Sequence, residues 1–181
     1  MFNELYFLVE GNDDERFFQR IVEPILQDRY DYIGYYQYAR RPKRKIQAFI
    51  KSIASKQADF LCITDINTSP CVTARKKQVK RNKLGTLSDS RVLVVKKEIE
   101  SWYLAGLNEE CCRRLRLPAC RETESISKEQ FKQFLSGSKL GCTINCMIDI
   151  LRNYNICTAK SKNESFDYFH RKYLDIAPVP S

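Results

Sequence analysis

The sequence is poor in the residues that mark several common protein classes. Its 181 residues include one histidine, and its six glycines and six prolines are about half of the average usage. This composition excludes collagen-like, linker-like and low-complexity chains. No apolar run approaches the roughly 18 residues of a membrane span, and the first residues lack the basic start of a signal peptide. We therefore predict a folded cytoplasmic protein that is not embedded in a membrane.

The cysteines show no strong metal-binding pattern. There are eight of them, but no two are spaced as C-x-x-C. Cys142 and Cys146 are four residues apart and would share one helix face, so a zinc site with Cys120 or Cys157 stays open. In a reducing compartment, small buried core thiols are the favoured interpretation, and disulfides are not expected.

The basic residues are concentrated in one stretch of the chain. Residues 1–39 hold eight acidic and three basic residues, a net charge of −5. Residues 40–83 hold thirteen basic and two acidic residues, a net charge of +11. Such a segment predicts a polyanionic partner, DNA or RNA above all, although a solvated charged face is the alternative. The residues expected to contact nucleic acid are Arg40, Arg41, Lys43, Arg44, Lys45, Arg75, Lys76, Lys77, Lys80, Arg81 and Lys83.

Tyrosines precede the first basic cluster. Tyr32, Tyr35, Tyr36 and Tyr38 lie in one predicted strand, directly before Arg40. Aromatic rings beside cations are typical of a platform that stacks nucleic acid bases. Ordinary strand packing is the alternative, because tyrosine favours strands and half of the side chains of a strand are usually buried.

Strand and helix patterns alternate over the first 107 residues. Short apolar runs predict strands at 4–9, 31–38, 59–64 and 91–95. Helical spacing of apolar residues predicts helices that begin near Asp13, Lys43, Ser69 and Glu98. Pro24 is expected to kink or break the first of these helices. The alternation predicts an α/β fold with a Rossmann-like, mostly parallel sheet of about four strands flanked by helices.

After Leu107 the strand patterns stop. Helices are predicted near 108–115, 127–136, 140–154 and 163–174. Ser127, followed three residues later by Gln130, predicts a capping box at the start of the helix near 127–136. We therefore predict an α/β core of residues 1–107 and a helical extension of residues 108–181 packed on that core.

Acidic residues follow three of the four predicted strands. Glu10 closes the first strand, Asp65 closes the third, and Glu98 and Glu100 follow the fourth. Because the carboxyl ends of parallel strands meet at one edge of a sheet, we expect these acids to lie close together. Only one of Glu98 and Glu100 is expected to face the site, because they are two residues apart on a helix. Clustered carboxylates need a cation, and Mg²⁺ or Mn²⁺ prefers such oxygens; helix capping is the alternative.

The residues around Glu10 and Asp65 resemble those of a Toprim domain. The resemblance covers about residues 4–107 and is carried by Leu8-Val9-Glu10-Gly11 and by Cys62-Ile63-Thr64-Asp65-Ile66-Asn67. The later Lys97-Glu98-Ile99-Glu100-Ser101-Trp102 is similar to a segment of short bacterial stand-alone Toprim-like proteins of unknown function. Toprim domains occur in topoisomerases, bacterial primases and overcoming-lysogenization-defect nucleases.

The resemblance implies a Toprim-like fold and Mg²⁺-dependent cleavage of DNA or RNA phosphodiester bonds. Glu10 would then have an acid–base or metal-linked role, and Asp65 would bind magnesium. The second aspartate of the family's Asp-x-Asp pattern falls on Asn67, which carries no charge. Either Glu98 or Glu100 compensates as a metal ligand, or the site is inactive. Related stand-alone proteins also imply an ATPase partner protein.

Two other hypotheses stay open. The first is a non-catalytic Toprim-like module that binds nucleic acid or a partner protein, which Asn67 favours. The second is a phosphoacceptor domain that resembles a response-regulator receiver, since Asp13 and Asp14 follow the first strand and Lys96 follows the fourth. The basic segment and the long helical tail fit that second hypothesis poorly.

Overall fold

The computed structural model of the protein describes residues 2–137 and 143–175, which form two compact units that divide after Val95. The first unit contains the sheet, and the second is helical in its described part. The predicted α/β class, with a Rossmann-like parallel sheet and a helical C-terminal part, is confirmed. The helix Ile99–Ala105, which the sequence assigned to the core of residues 1–107, groups with the second unit.

The sheet contains four parallel strands in the order β2-β1-β3-β4. The strands are β1 (Glu4–Val9), β2 (Tyr32–Gln37), β3 (Asp59–Asp65) and β4 (Val92–Val95). The chain passes from β1 to β2 on one side and then crosses to β3 on the other side. The strand order therefore reverses between β1 and β3, and ligands of open α/β sheets bind in the crevice at such a reversal.

Helices of the first unit follow each of the first three strands. They are α1 (Asn12–Phe17), α2 (Glu23–Leu26), α3 (Lys43–Ser55) and α4 (Val72–Val79), with π-helical stretches at Phe18–Val22 and Lys80–Leu84 and a 3₁₀ turn at Asp89–Arg91. Pro24 does not end the first helical region, because the wider π-helical turn lies directly before α2. Proline has no N–H to donate, and the altered hydrogen-bond pattern of a π-helical turn accommodates this lack inside a helix.

The central strands are buried on both faces. On one face, Leu8 belongs to the same apolar cluster as Ile46 and Ile50 of α3. On the other face, the ring centroid of Phe7 lies 4.8 Å from that of Phe18. Side chains of a strand alternate between the two faces, so each face needs its own helical cover. This is why β1 and β3 have nearly continuous apolar sequences.

The second unit surrounds one fully buried helix. Its helices are α5 (Ile99–Ala105), α6 (Glu109–Leu115), α7 (Lys128–Ser136), α8 (Thr143–Arg152), α9 (Ile156–Lys162) and α10 (Glu164–Phe169), with a π-helical stretch at His170–Leu174. Trp102 of α5 is fully buried, donates from Nε1 to Ser165 Oγ at 2.9 Å, and contacts the rings of Phe166 and Phe169. The capping box of Ser127 and Gln130 is confirmed. In the part of the chain that the structure describes, no helix is long and apolar enough to cross a bilayer.

The cysteine predictions divide between described and undescribed residues. Cys142, proposed as one zinc ligand, lies outside the described residues. Within residues 2–137 and 143–175, no group of three or more His, Cys, Asp or Glu side chains is placed to hold a metal ion. Cys62, Cys112 and Cys146 are buried, as expected of core thiols, whereas Cys111 and Cys120 are half-buried and Cys71 and Cys157 are exposed. Burial also raises the pKa of Cys112 above its ordinary value.

Gly34 of β2 lies under two tyrosine rings. A Cβ atom there would lie 2.8 Å from ring atoms of both Tyr6 and Tyr32. We therefore expect Gly34→Ala to lower the free energy of unfolding by about 1–3 kcal/mol, because the rings must shift. Urea unfolding measures the change. Gly137→Ala, whose Cβ would meet Phe134 O at an ordinary 3.7 Å, is the control. Equal urea midpoints for the two variants would contradict this account.

Candidate functional site

Glu10 lies directly after β1, at the reversal of the strand order. Its Oε1 accepts hydrogen bonds from Thr64 Oγ1 at 2.7 Å, Arg75 Nη2 at 3.1 Å, Tyr38 OH at 3.2 Å and the Asp65 backbone N–H at 3.3 Å. Tyr38 follows β2, Thr64 and Asp65 belong to β3, and Arg75 projects from α4. One carboxylate oxygen is therefore held by three neighbouring elements.

The strand register explains why these residues meet. Leu8 of β1 pairs with Cys62 of β3, so two further residues place Glu10 beside Thr64. On the other side, the Tyr38 N–H donates to Val9 O at 2.9 Å and extends the pairing of β1 with β2. The structure thus places Glu10 next to the backbone of Asp65 at one sheet edge. A shared metal site of their carboxylates stays a prediction.

Arg75 points into this site and away from the surrounding solvent. Besides Glu10, its guanidinium donates to Thr64 Oγ1 from Nη2 at 2.7 Å and from Nε at 3.1 Å. Its Nη1 donates to Gln78 Oε1 at 2.9 Å. The side chain is 13% exposed and that of Glu10 is 25% exposed. Because an arginine is always charged, this ion pair neutralises the Glu10 carboxylate without any bound ion.

Tyr38 supplies a buried hydroxyl to the same site. The side chain is 2% exposed, and its OH lies 2.9 Å from Ile63 O as well as 3.2 Å from Glu10 Oε1. Burial, with the nearby Cys62 and Glu10 groups, raises the pKa of Tyr38 well above its ordinary value. The phenol therefore remains a hydrogen-bond donor at every physiological pH.

Asp65 and Asn67 lie in the turn that follows β3. Asp65 is the last residue of the strand, and Asn67 Nδ2 donates to its backbone carbonyl at 3.3 Å. Asn67 has a φ of 50°, in the left-handed region that asparagine tolerates better than most residues. The turn closes where the Ser69 N–H donates to Ile66 O at 3.1 Å. Asn67 thus has a backbone role in this turn.

Glu98 and Glu100 lie in the second unit, where both contact Lys128. Glu98 precedes α5, and its Oε2 accepts from the backbone N–H of Lys128. Glu100 is 2% exposed, and its Oε1 lies 2.7 Å from Lys128 Nζ. The two carboxylates reach one residue because one uses the main chain of Lys128 and the other its ammonium group. Their role as metal ligands stays a prediction.

The donor set after β1 and β3 fits magnesium better than zinc. Glu10 and Asp65 offer carboxylate oxygens and Asn67 offers an amide oxygen, all of them hard ligands. Magnesium commonly takes one or two carboxylates and completes its shell with water and substrate phosphate. A larger cage of acidic residues is absent from the described residues. Magnesium at this edge stays a prediction.

The two basic segments predicted from the sequence meet in the structure, where residues 39–43 contact Arg81 and Lys83. Lys43 Nζ donates to Arg81 O at 2.7 Å, and Lys83 Nζ donates to Ala39 O and Arg41 O at 3.2 Å each. Loop and helix residues that are 38 to 44 positions apart in the chain therefore lie side by side. We call this the basic surface; it consists of Arg40, Arg41, Lys43, Arg44, Lys45, Lys76, Lys77, Lys80, Arg81 and Lys83.

The members of the basic surface differ in their contacts and in their exposure. Lys80 forms an ion pair with Asp89, and its hydrogen bond lowers the pKa of that carboxyl. Lys76 Nζ donates to Asp89 O at 2.8 Å. The exposed members are Arg40, Arg41, Lys43, Arg44, Lys45, Lys77 and Arg81.

The tyrosines of β2 are used mainly for packing. Tyr35 OH donates to Glu23 Oε2 at 2.8 Å, and Tyr36 stacks on Phe49 with centroids 4.1 Å apart. Tyr38 is buried, whereas Tyr32 is 48% exposed. The four rings therefore do not form one continuous exposed platform for nucleic acid bases.

Thr64 and Tyr38 contact Glu10, although the sequence analysis did not select Thr64 and assigned Tyr38 only to a base-stacking platform. Thr64 has a detectable signal, because it is the polar residue that ends a fully buried apolar run, Phe60–Ile63. A polar group in such a strand needs a partner. Tyr38 has a weaker signal, since it follows the strand that pairs with β1.

Tyr38→Phe tests the buried hydroxyl. We expect the free energy of unfolding at pH 7 to fall by about 1–2 kcal/mol, because Ile63 O and Glu10 lose a donor. The raised folded-state pKa adds stability that is complete below the ordinary tyrosine pKa of about 10 and is lost at higher pH. The stability difference between wild type and variant should therefore shrink above about pH 10 in urea unfolding.

Tyr32→Phe, which alters an exposed ring of the same unit, is the matched control. A wild-type advantage over Tyr38→Phe that stays constant from neutral to alkaline pH would contradict the role assigned to the buried phenol.

Comparison of the chain with protein-family models, curated proteins and solved structures gives no match. The Toprim resemblance therefore stays a prediction from the residues quoted above.

Proposed function

We propose that this protein is a Mg²⁺-dependent nuclease that cleaves phosphodiester bonds of DNA or RNA in the cytoplasm. The observation that carries the proposal is the hydrogen bond from the Asp65 backbone N–H to Glu10 Oε1, which places these two acidic residues side by side at the reversal of strand order. The basic surface is part of the same compact unit and supplies cations for the phosphates of a substrate. The Toprim resemblance supports the same reaction.

Each part of the site has a role in this proposal. The basic surface binds backbone phosphates and so positions a substrate without reading its sequence. Glu10, Asp65 and Asn67 would together hold the metal ion. When bound, that ion would neutralise phosphate charge. The Glu10 carboxylate would accept a proton from the water that attacks phosphorus, while the bond from phosphorus to the leaving oxygen breaks.

A second candidate function is a non-catalytic module that binds nucleic acid, with or without an ATPase partner protein. Two observations favour it. Arg75 already neutralises Glu10, whose Oε1 accepts four hydrogen bonds. Asn67 offers no charge where the Toprim pattern has a second aspartate. The two candidates share nucleic acid binding and differ in chemistry.

The nuclease proposal predicts metal-dependent cleavage of labelled single- and double-stranded DNA and RNA. We expect products with Mg²⁺ or Mn²⁺, none with EDTA, and a loss of at least about 100-fold in Glu10→Gln and Asp65→Asn. Lys51→Gln, an exposed change on α3 outside the basic surface, is the control and should retain activity. Wild-type protein that binds all four substrates but cleaves none would overturn the nuclease proposal. The non-catalytic binding module would then be the remaining candidate function.

The basic surface predicts salt-dependent binding in EDTA. Lys77 is exposed on α4, so Lys77→Gln should reduce the slope of log Kobs against log salt by about 0.7–0.9, the value of one lost phosphate contact. Lys51→Gln removes the same charge from the same unit and should leave the slope unchanged. Fluorescence anisotropy with a labelled oligonucleotide measures both. Equal slopes for the two variants would remove Lys77 from the interface.

A further inference from the structure

Arg75 belongs by sequence to the basic stretch, but its side chain differs from those of its neighbours. Lys77, two residues along α4, is exposed, whereas the Arg75 side chain is 13% exposed. All three guanidinium nitrogens donate to protein acceptors, namely Glu10, Thr64 and Gln78. Four of the five guanidinium N–H donors are thus used inside the protein, and such a group is a poorer contact for a substrate phosphate than an exposed lysine.

The contacts of Arg75 converge on the Glu10 carboxylate by two routes. The first is the direct ion pair from Nη2 at 3.1 Å. The second runs through Thr64, whose fully buried Oγ1 accepts from Arg75 and donates to Glu10 Oε1 at 2.7 Å. The three groups form a closed triangle, and this geometry fixes the position of Glu10 Oε1.

We propose that Arg75 is a positioning residue for Glu10 and not a contact for substrate phosphates. The inference rests on the proposed function for the reaction that Glu10 assists, but the positioning itself is a property of the folded protein. Thr64 is part of the same device, because its hydroxyl joins the guanidinium to the carboxylate. Gln78 anchors the far side of the guanidinium and also accepts from Ser69 Oγ at 3.1 Å.

The identity of the side chain matters to this device. A planar guanidinium donates in several fixed directions, whereas a lysine ammonium is a compact point charge. A lysine at position 75 would keep the positive charge but could not bond Glu10, Thr64 and Gln78 together. A phosphate contact would tolerate that exchange, since lysine binds phosphate as a point charge.

The first test measures binding without metal or chemistry. Oligonucleotide affinity of the full chain is titrated against salt in EDTA for wild type, Arg75→Gln and Lys77→Gln. We expect the slope to fall by about 0.7–0.9 in Lys77→Gln and to stay unchanged in Arg75→Gln. An equal fall in both variants would overturn the proposal, because it would make Arg75 a phosphate contact.

The second test measures the coupling of Arg75 to Glu10 in unfolding by urea. Glu10→Gln, Arg75→Gln and the double variant form a mutant cycle. We expect the double variant to lose less stability than the sum of the two single losses. Additive losses would overturn the proposal. If Arg75→Gln does not fold, Thr64→Val in a cycle with Glu10→Gln examines the same link, and additivity there has the same meaning.

The third test uses cleavage kinetics. We expect Arg75→Lys and Thr64→Val to lower kcat about 10- to 100-fold with KM within about twofold, because the carboxylate is misplaced while the basic surface is intact. Full kcat in Arg75→Lys would overturn the proposal. If wild-type protein cleaves nothing, the nuclease function fails, while the salt slopes and the mutant cycles still decide whether Arg75 positions Glu10.

Discussion

Oε1 of Glu10, at the end of β1, is the point at which β2, β3 and α4 come together. It accepts hydrogen bonds from residues that belong to β3 and α4 or directly follow β2. Its partners are 28, 54, 55 and 65 residues away in the chain. A carboxylate that is three-quarters covered needs such partners, because an unsatisfied charge at that depth would be costly. All four contacts depend on the pairing of β1 with β2 and β3. The contact from Arg75 depends also on the packing of α4 on the sheet.

The contacts of Glu10 Oε1 are compatible with both candidate functions, for different reasons. A carboxylate with four donors on one oxygen is well held, which suits a group that must keep its place during a reaction. It is also well neutralised, which reduces its demand for a metal ion. The difference between an enzyme and a binding module thus depends on whether a metal ion can share the Glu10 carboxylate with Arg75.

Much of the fold could be predicted from the sequence, because its signals are local. Apolar runs located the four strands, and their parallel order placed Glu10 and Asp65 at one edge. Helix α9 was missed because Ile156–Lys162 has no apolar stripe and its start is set by the Asn155 side chain. The helix-like spacing around Pro24 gave no sign that a π-helical turn would let the helix continue.

The site was only half predictable, because its remaining contacts depend on how elements are rotated. Arg75 and Lys76 are neighbours of the same charge, and the sequence alone does not say which one faces the sheet. The rotation of α4 is set by the burial of Val79 against the apolar cluster, and this turns Arg75 toward Thr64. The meeting of Lys43 with Arg81 is likewise a tertiary contact between segments that look independent in the sequence.

The lysines that join the two basic segments have a consequence for the energetics of folding. Lys43 and Lys83 bond backbone carbonyls and not acids, so these contacts hold the segments together without removing any positive charge. Folding therefore concentrates like charges that are farther apart in the unfolded chain, at an electrostatic cost. Mobile anions relieve that repulsion, and a polyanion that binds only the folded chain adds the free energy of its own binding. A nucleic acid bound as proposed above would therefore also stabilise the fold of the first unit.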